Sequence, residues 1–197
     1  MRCWIAPPLI APALLIAVAL VVGSLMVAVP AQAAQDDPRL DQLFERLRET
    51  DNAAEAGTVV QLIWTIWHAY DGGRPEVPRL MIDAGVAIQD NRLARAEALY
   101  GRITELDPEF AEGWNRRATV RWMAGDFAGS VADIQQTLAL EPRHFGALSG
   151  LGLIYTEMDE PERAVAAFEA ALEINPYLPG ARANIDMLRS RLDGDPI

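Results

Sequence analysis

The sequence predicts an all-α fold in which three helical hairpins follow one another in tandem, and two observations carry that expectation. Between Val77 and Leu178 the chain repeats itself three times at a spacing of 34 residues, with small, bulky and turn-forming residues in the same slots of every copy. Each copy also closes on a proline, at Pro108, Pro142 and Pro176, preceded by Asp107, Glu141 or Asn175; these prolines stop one hairpin before the next begins.

Residues 1–33 stand apart from this pattern. Arg2 is the only charge before Asp36, and Ile5 to Val29 is an uncharged run rich in Ala, Leu, Val and Ile. It ends in Val29-Pro30-Ala31-Gln32-Ala33, where Ala31 and Ala33 form the small-x-small signature of a secretory signal peptide, so cleavage is expected after Ala33. The run is also long enough to span a bilayer, and an uncleaved anchor over residues 4–29 is the competing expectation, weakened by Pro7, Pro8 and Pro12. Both readings place the repeats outside the cytoplasm, because a lone Arg precedes the run and an acidic domain follows it. Cys3 is the only cysteine and lies ahead of the run, where lipidation is not expected; cleavage would remove the sole thiol and with it any disulfide or cysteine metal site.

Residues 34–73 read as an N-terminal helical hairpin outside the repeat register, a packing or capping unit. Asp37-Pro38 reads as an N-cap followed by proline, and Leu40, Leu43, Phe44 and Leu47 form an apolar stripe. The second helix is expected from about Asn52 to Tyr70. Ala56, Val59, Val60, Ile63, Trp64, Trp67 and Tyr70 fall on one face of it, and Asp71-Gly72-Gly73 supplies the stop. The aromatic residues all lie on that stripe, which makes core packing their expected use.

The three copies span 77–110, 111–144 and 145–178. Small residues at Ala84, Ala118 and Gly152 on the first helices, and at Ala96, Ser130 and Ala164 on the second, let the paired helices cross closely. Leu80, Trp114 and Leu148 fill the space around the crossing with Tyr100, Ile134 and Phe168, and Leu106, Leu140 and Ile174 end the second helices. Asn91, Gly125 and Asp159 occupy the turn inside each hairpin, residue types that enter the left-handed region or bond their own backbone. Residues 179–197 are expected to form a capping helix and tail, with Ala181, Ile185, Leu188 and Leu192 on the buried face and Arg182, Asp186, Arg189 and Arg191 on the solvated one.

This pattern resembles the tetratricopeptide repeat (TPR) family over about half the chain. The third copy follows the family signature best, in Leu151-Gly152, Tyr155, Ala164, Phe168 and Pro176. The resemblance implies a right-handed superhelix whose first helices line a concave groove that takes a peptide or a partner helix. By repeat geometry the groove-facing set is Met81, Ile88, Glu112, Asn115, Arg116, Thr119, Trp122, Ser149, Leu153 and Thr156, with Trp122 the leading anchor or else a packing residue between first helices. Some family members grip a partner's terminal carboxylate with Lys, Asn and Arg side chains. Here those slots hold Met81, Gly85, Arg116, Gly146 and Gly150, so only Arg116 of such a clamp is present.

Two departures from the repeat are informative. Arg117 and Arg121 stand where large apolar residues are usual, with Asp83 in the slot of the first copy equivalent to Arg117 and Asp133 on the second helix of the same copy. A buried guanidinium needs carboxylates or carbonyls around it, so an internal ion network of Asp83, Arg117, Arg121 and Asp133 is expected, with Arg117 pairing to Asp83 or Asp133; the competing reading has Arg117 addressing a ligand. His144 sits near a helix start, where a local hydrogen bond is its expected use, and His68 has no second His, Asp or Glu at ligand spacing.

Composition narrows function further. A net charge of −11 disfavours nucleic acid and anionic lipid as primary ligands, and all 17 basic residues are Arg, a usage that suggests a GC-rich bacterial genome. No phosphate loop, nucleophile elbow or zinc motif is present, and Glu157, Asp159 and Glu160 read as a solvated turn, so neither catalysis, metal nor cofactor is expected. The expected role is a non-enzymatic periplasmic adaptor for a protein or peptide. The alternative is an inner-membrane-tethered structural subunit, touching the membrane only through residues 4–29.

Overall fold

In the computed structural model, residues 34–194 are described, and the signal or anchor segment and Cys3 lie outside them. The described residues form a short 3-10 turn at Ala34–Asp36 and nine α-helices: α1 (Arg39–Glu49), α2 (Ala53–His68), α3 (Val77–Gln89), α4 (Leu93–Leu106), α5 (Ala111–Met123), α6 (Phe127–Leu140), α7 (Phe145–Glu157), α8 (Pro161–Ile174) and α9 (Ala181–Asp193). The three hairpins are α3–α4, α5–α6 and α7–α8, and each helix from α3 to α9 packs on the next to build a superhelical solenoid.

The turn residues behave as their chemistry requires. Asn91, Gly125 and Asp159 all take positive φ, at 56°, 83° and 60°, one in each hairpin. Close crossing depends on the small residues: Ala84, Ala96, Ala118, Ser130, Ala164 and Gly152 are all buried. A Cβ on Gly152 would lie 2.8 Å from the Phe168 ring, so that contact admits only glycine. Ser130 satisfies its buried hydroxyl by donating to the Ala118 carbonyl at 2.7 Å.

α9 occupies the place of the first helix of a fourth copy. Ala181, Ile185 and Leu188 are buried against α8, while Leu192, expected on the buried stripe, is exposed at the last turn. Arg182, Asp186 and Arg189 line the hollow beside α8 where a following helix would otherwise pack. That charged surface closes the C-terminal end of the stack.

The N-terminal hairpin is a packing unit but does not cap the other end. Asn52 caps α2, its Oδ1 accepting from the Ala54 and Glu55 amides at 2.9 and 3.3 Å, and the α1–α2 pair then runs along the edge where successive repeats join. Tyr177 at the third junction donates to the Thr50 carbonyl at 2.8 Å. At the second junction Arg143 pairs with Asp41 at 2.6 Å and stacks over Phe44, and Tyr70 at the first junction donates to Asp107 at 2.8 Å. α2 thus travels from the last junction back to the first, against the order of the repeats. Burial on these elements, and the bond to Asp107, push the Tyr70 hydroxyl up to about 12.

The consequence is an open first repeat. Val86 is 45% exposed, although Val120, Ile154 and Leu188 in the same slot of α5, α7 and α9 are at most 2% exposed. Each of those is covered by the preceding hairpin, and nothing among the described residues plays that part for α3.

Candidate functional site

The first helices α3, α5 and α7 line the concave face, and α2 lies over the first turn of α5 and the start of α7. Gly146 makes that approach possible: a Cβ there would stand 2.5 Å from the Trp64 ring. Trp67 stacks on the His144 ring at 4.2 Å and 9°, and Trp64 and Trp67 both meet Phe145 in one aromatic cluster. The expectation that Trp64 and Trp67 serve packing is met, with the added finding that they pack between α1 and the repeats. Gly146→Val is expected to push α2 off this edge at a cost of roughly 1–3 kcal/mol. Hydrogen exchange should show lost protection confined to residues 53–68.

Beneath α2 sits a polar cluster that sequence spacing did not foreshadow. Glu112 is 1% exposed, and its carboxylate accepts from Arg116 Nε at 2.5 Å and Asn115 Nδ2 at 2.8 Å. Arg116 takes Oε1, and Oε2 is shared by Asn115 and His144. His144 Nδ1 accepts from the Ala147 amide at 3.0 Å, so the proton resides on Nε2, which faces Glu112 Oε2 at 3.3 Å. His68 from α2 completes the cluster: its Nε2 stands 3.1 Å from Glu112 Oε1 and 2.5 Å from Arg116 Nη2, so the ring either donates to the carboxylate or accepts from the guanidinium, according to its tautomer. Burial alone would raise the Glu112 carboxyl, but the His144 and His68 bonds and the Arg116 charge outweigh it and hold the group well below the usual carboxylate range.

These contacts correct the expected groove set. Glu112 does not face a partner; it is sealed under α2 because its slot lies at the junction end of α5. Arg116 donates to Glu112, lies beside His68 and retains 37% exposure of its side chain. Asn115, Thr119, Trp122 and Leu153 are brought together around a cavity of about 120 Å³ between α5 and α7, whose lining also includes Gly150 and Ile134. Trp122 joins that cavity to a shallow hollow with Met123, Phe127 and Glu157, so it is at once a packing residue and a surface one. Met81 and Ile88 lean into the core of the first repeat, and Ser149 and Thr156 are half-buried on α7 outside the cavity lining. Thr156 bonds its own helix at the Gly152 carbonyl.

The ion network is also revised. Arg117 grips Asp133 with two bonds of 2.8 and 2.7 Å and donates to Thr104 Oγ1 at 2.9 Å. Arg121 reaches the same carboxylate at 3.0 Å and Glu97 at 2.9 Å, so α4, α5 and α6 are locked together. Asp83 is not a member. It lies 3.7 Å from Arg79 on the surface of α3, because equivalent slots of successive first helices point the same way and do not face each other. His144 makes the expected local bond, as an N-cap. His68 does find Glu112, which spacing along one helix could not reveal. Among the described residues no group of three His, Cys, Asp or Glu side chains is arranged to hold a metal ion.

A solenoid of helical hairpins with a first-helix concave face is a protein-interaction fold. The tetratricopeptide repeat profile matches residues 84–133 and 115–179. A TPR repeat-containing protein of Rhizobium etli is 36% identical over 160 residues, which covers 80% of this chain and 76% of that one. The chain belongs to the tetratricopeptide repeat family. Solved structures share its fold. MamA superposes with a TM-score of 0.57 at 18% identity, over 83% of this chain and 86% of that one. The first TPR of Spaghetti (RPAP3), bound to the HSP90 peptide SRMEEVD, does so with a TM-score of 0.58 at 19% identity, over 60% of this chain and 94% of that one.

Proposed function

We propose that this protein is a non-enzymatic adaptor of the bacterial cell envelope, exported by its first 33 residues, that holds a protein or peptide on the part of the concave face left open by α2. The observation that carries the reading is the cavity between α5 and α7, lined by Trp122, Asn115 and the exposed Thr119 over the buried Ala118, Ser130 and Ile134. A preformed cavity beside an aromatic anchor binds with little reordering of the protein. The peptide-bound TPR of Spaghetti supports a peptide or protein ligand in general terms, and the acidic charge of the chain argues against nucleic acid.

Capture of partners from envelope extract, with wild type beside Trp122→Ala, tests the reading. A specific protein lost with Trp122→Ala is the expected result. Identical partners in both samples would move binding away from the concave face. Intact mass of the same sample reports the N-terminus: Ala34 fits a free periplasmic adaptor, and retained Met1 fits an inner-membrane-tethered one.

A further inference from the structure

We propose that the open part of the concave face is a berth for one α-helix of the partner, amphipathic and cationic, lying alongside α2. This rests on the adaptor reading and names the shape and charge of what the same face takes.

The width of the face sets the first condition. α5 has 13 residues, which makes it about 20 Å long. α2 already lies over its junction end, where His68 meets Glu112 and Arg116. From Arg116 to Met123 roughly 10 Å of α5 remains, the diameter of one further helix.

The molecule also shows how a helix seats here. α2 sinks Trp64 against a residue with no side chain, Gly146. One turn further along α7 comes Gly150, where a Cβ would meet nothing nearer than Ile134 Cδ1 at 3.8 Å. It borders the cavity of about 120 Å³ that Trp122 and Leu153 flank, space for one large apolar side chain of an incoming helix. The seat under Trp64 is filled by the protein itself and the seat beside Gly150 is empty.

Charge sets the partner's far flank. The berth is bounded on the side away from α2 by the C-terminal end of α7, whose last turn has no basic residue and carries the negative end of its helix dipole, and by Glu157 in the hollow next to Trp122; the one basic residue in the last turn of α5, Arg121, is already paired with Glu97 and Asp133. Arg116, on the near side, is already paired with Glu112. Arginine or lysine on the partner's outer flank therefore meets an acidic edge.

The test uses purified full-length protein and three labelled peptides of about 15 residues, long enough to cross the face as a helix of roughly 22 Å. One is a stapled Leu/Arg amphipathic helix, the second has its composition with two prolines inserted, and the third is a stapled Leu/Glu helix. Fluorescence anisotropy should show the Leu/Arg staple binding at least about tenfold tighter than either other peptide. Gly150→Phe, and independently the exposed Thr119→Trp, should weaken it by at least about tenfold without loss of helical circular dichroism. Equal binding of the proline peptide, still lost in both variants, would overturn the helix and leave the concave face as the site. Equal binding of the Leu/Glu staple would overturn the cationic flank. Binding of the Leu/Arg staple that survives both variants would overturn the berth and the concave-face reading together. No binding by any peptide would overturn the berth alone, since capture with Trp122→Ala tests the adaptor reading separately.

Discussion

Glu112→Ala is expected to destabilise the protein by about 1–3 kcal/mol, the cost of leaving the buried His144 Nε2–H and the neighbouring donors without their acceptor. Arg116, Asn115, His144 and His68 all converge on that group, so one truncation strands partners on α2, α5 and the start of α7. Urea unfolding followed by circular dichroism measures the loss, and a shift smaller than about 1 kcal/mol would contradict the burial argument. Acid should act through the same carboxylate. Its folded pKa lies below the unfolded value of about 4.3, so its stabilisation is fully present above that pH. The contribution is lost as pH falls from there toward the folded value. Glu112→Gln should therefore be less stable than wild type at neutral pH, yet lose stability less steeply below about pH 4.3.

Asp133→Ala should cost more, about 3–5 kcal/mol, because two largely buried guanidinium groups depend on one buried carboxylate. Arg117 and Arg121 lie on consecutive turns of α5, and both reach Asp133 on α6. Asp83→Ala, at the equivalent slot to Arg117 one repeat earlier, should change stability by no more than about 0.5 kcal/mol, since its pair with Arg79 is a solvated one. The contrast is the test. Comparable losses for the two substitutions would mean that the α4–α5–α6 lock has been misassigned. Both Asp133 and Glu112 variants should also be compared by partner capture, since a stability defect on these helices loosens the floor under Thr119 and Trp122.

Within a hairpin, the turn and crossing residues behave as the sequence predicts. Asn91, Gly125 and Asp159 announce a left-handed turn because few other residue types tolerate positive φ, and all three adopt it. Gly152 announces a close crossing, and the Phe168 ring fills the space its missing side chain leaves. The lining of the cavity between α5 and α7 was legible in part. Thr119 and Leu153, 34 residues apart, share a slot and meet at the cavity; Asn115 and Trp122 also line it, but their equivalents Ser149 and Thr156 do not.

Other residues at equally good slots were misplaced by the same reasoning. Glu112 occupies a groove position by period but is covered, and Arg116 is half claimed, because α2 lies across the junction end of α5. Asp83 and Arg117 share a slot and therefore a direction, which rules out the pairing their charges invite.

What the sequence by itself determined depends on neighbours within about one repeat: the hairpin turns, the small residues at the crossings and the 34-residue stacking period. Those features are set by local backbone preference and by contacts a few residues or one hairpin apart. Only the tertiary structure decided where α1 and α2 lie, because that depends on Gly146 admitting Trp64, on His144 receiving Trp67 and on Thr50 reaching Tyr177 across 127 residues of chain. Periodicity reports how an element faces its own repeat. It carries no record of a helix arriving from outside the period, and it is that helix which sets how much of the concave face remains for a partner.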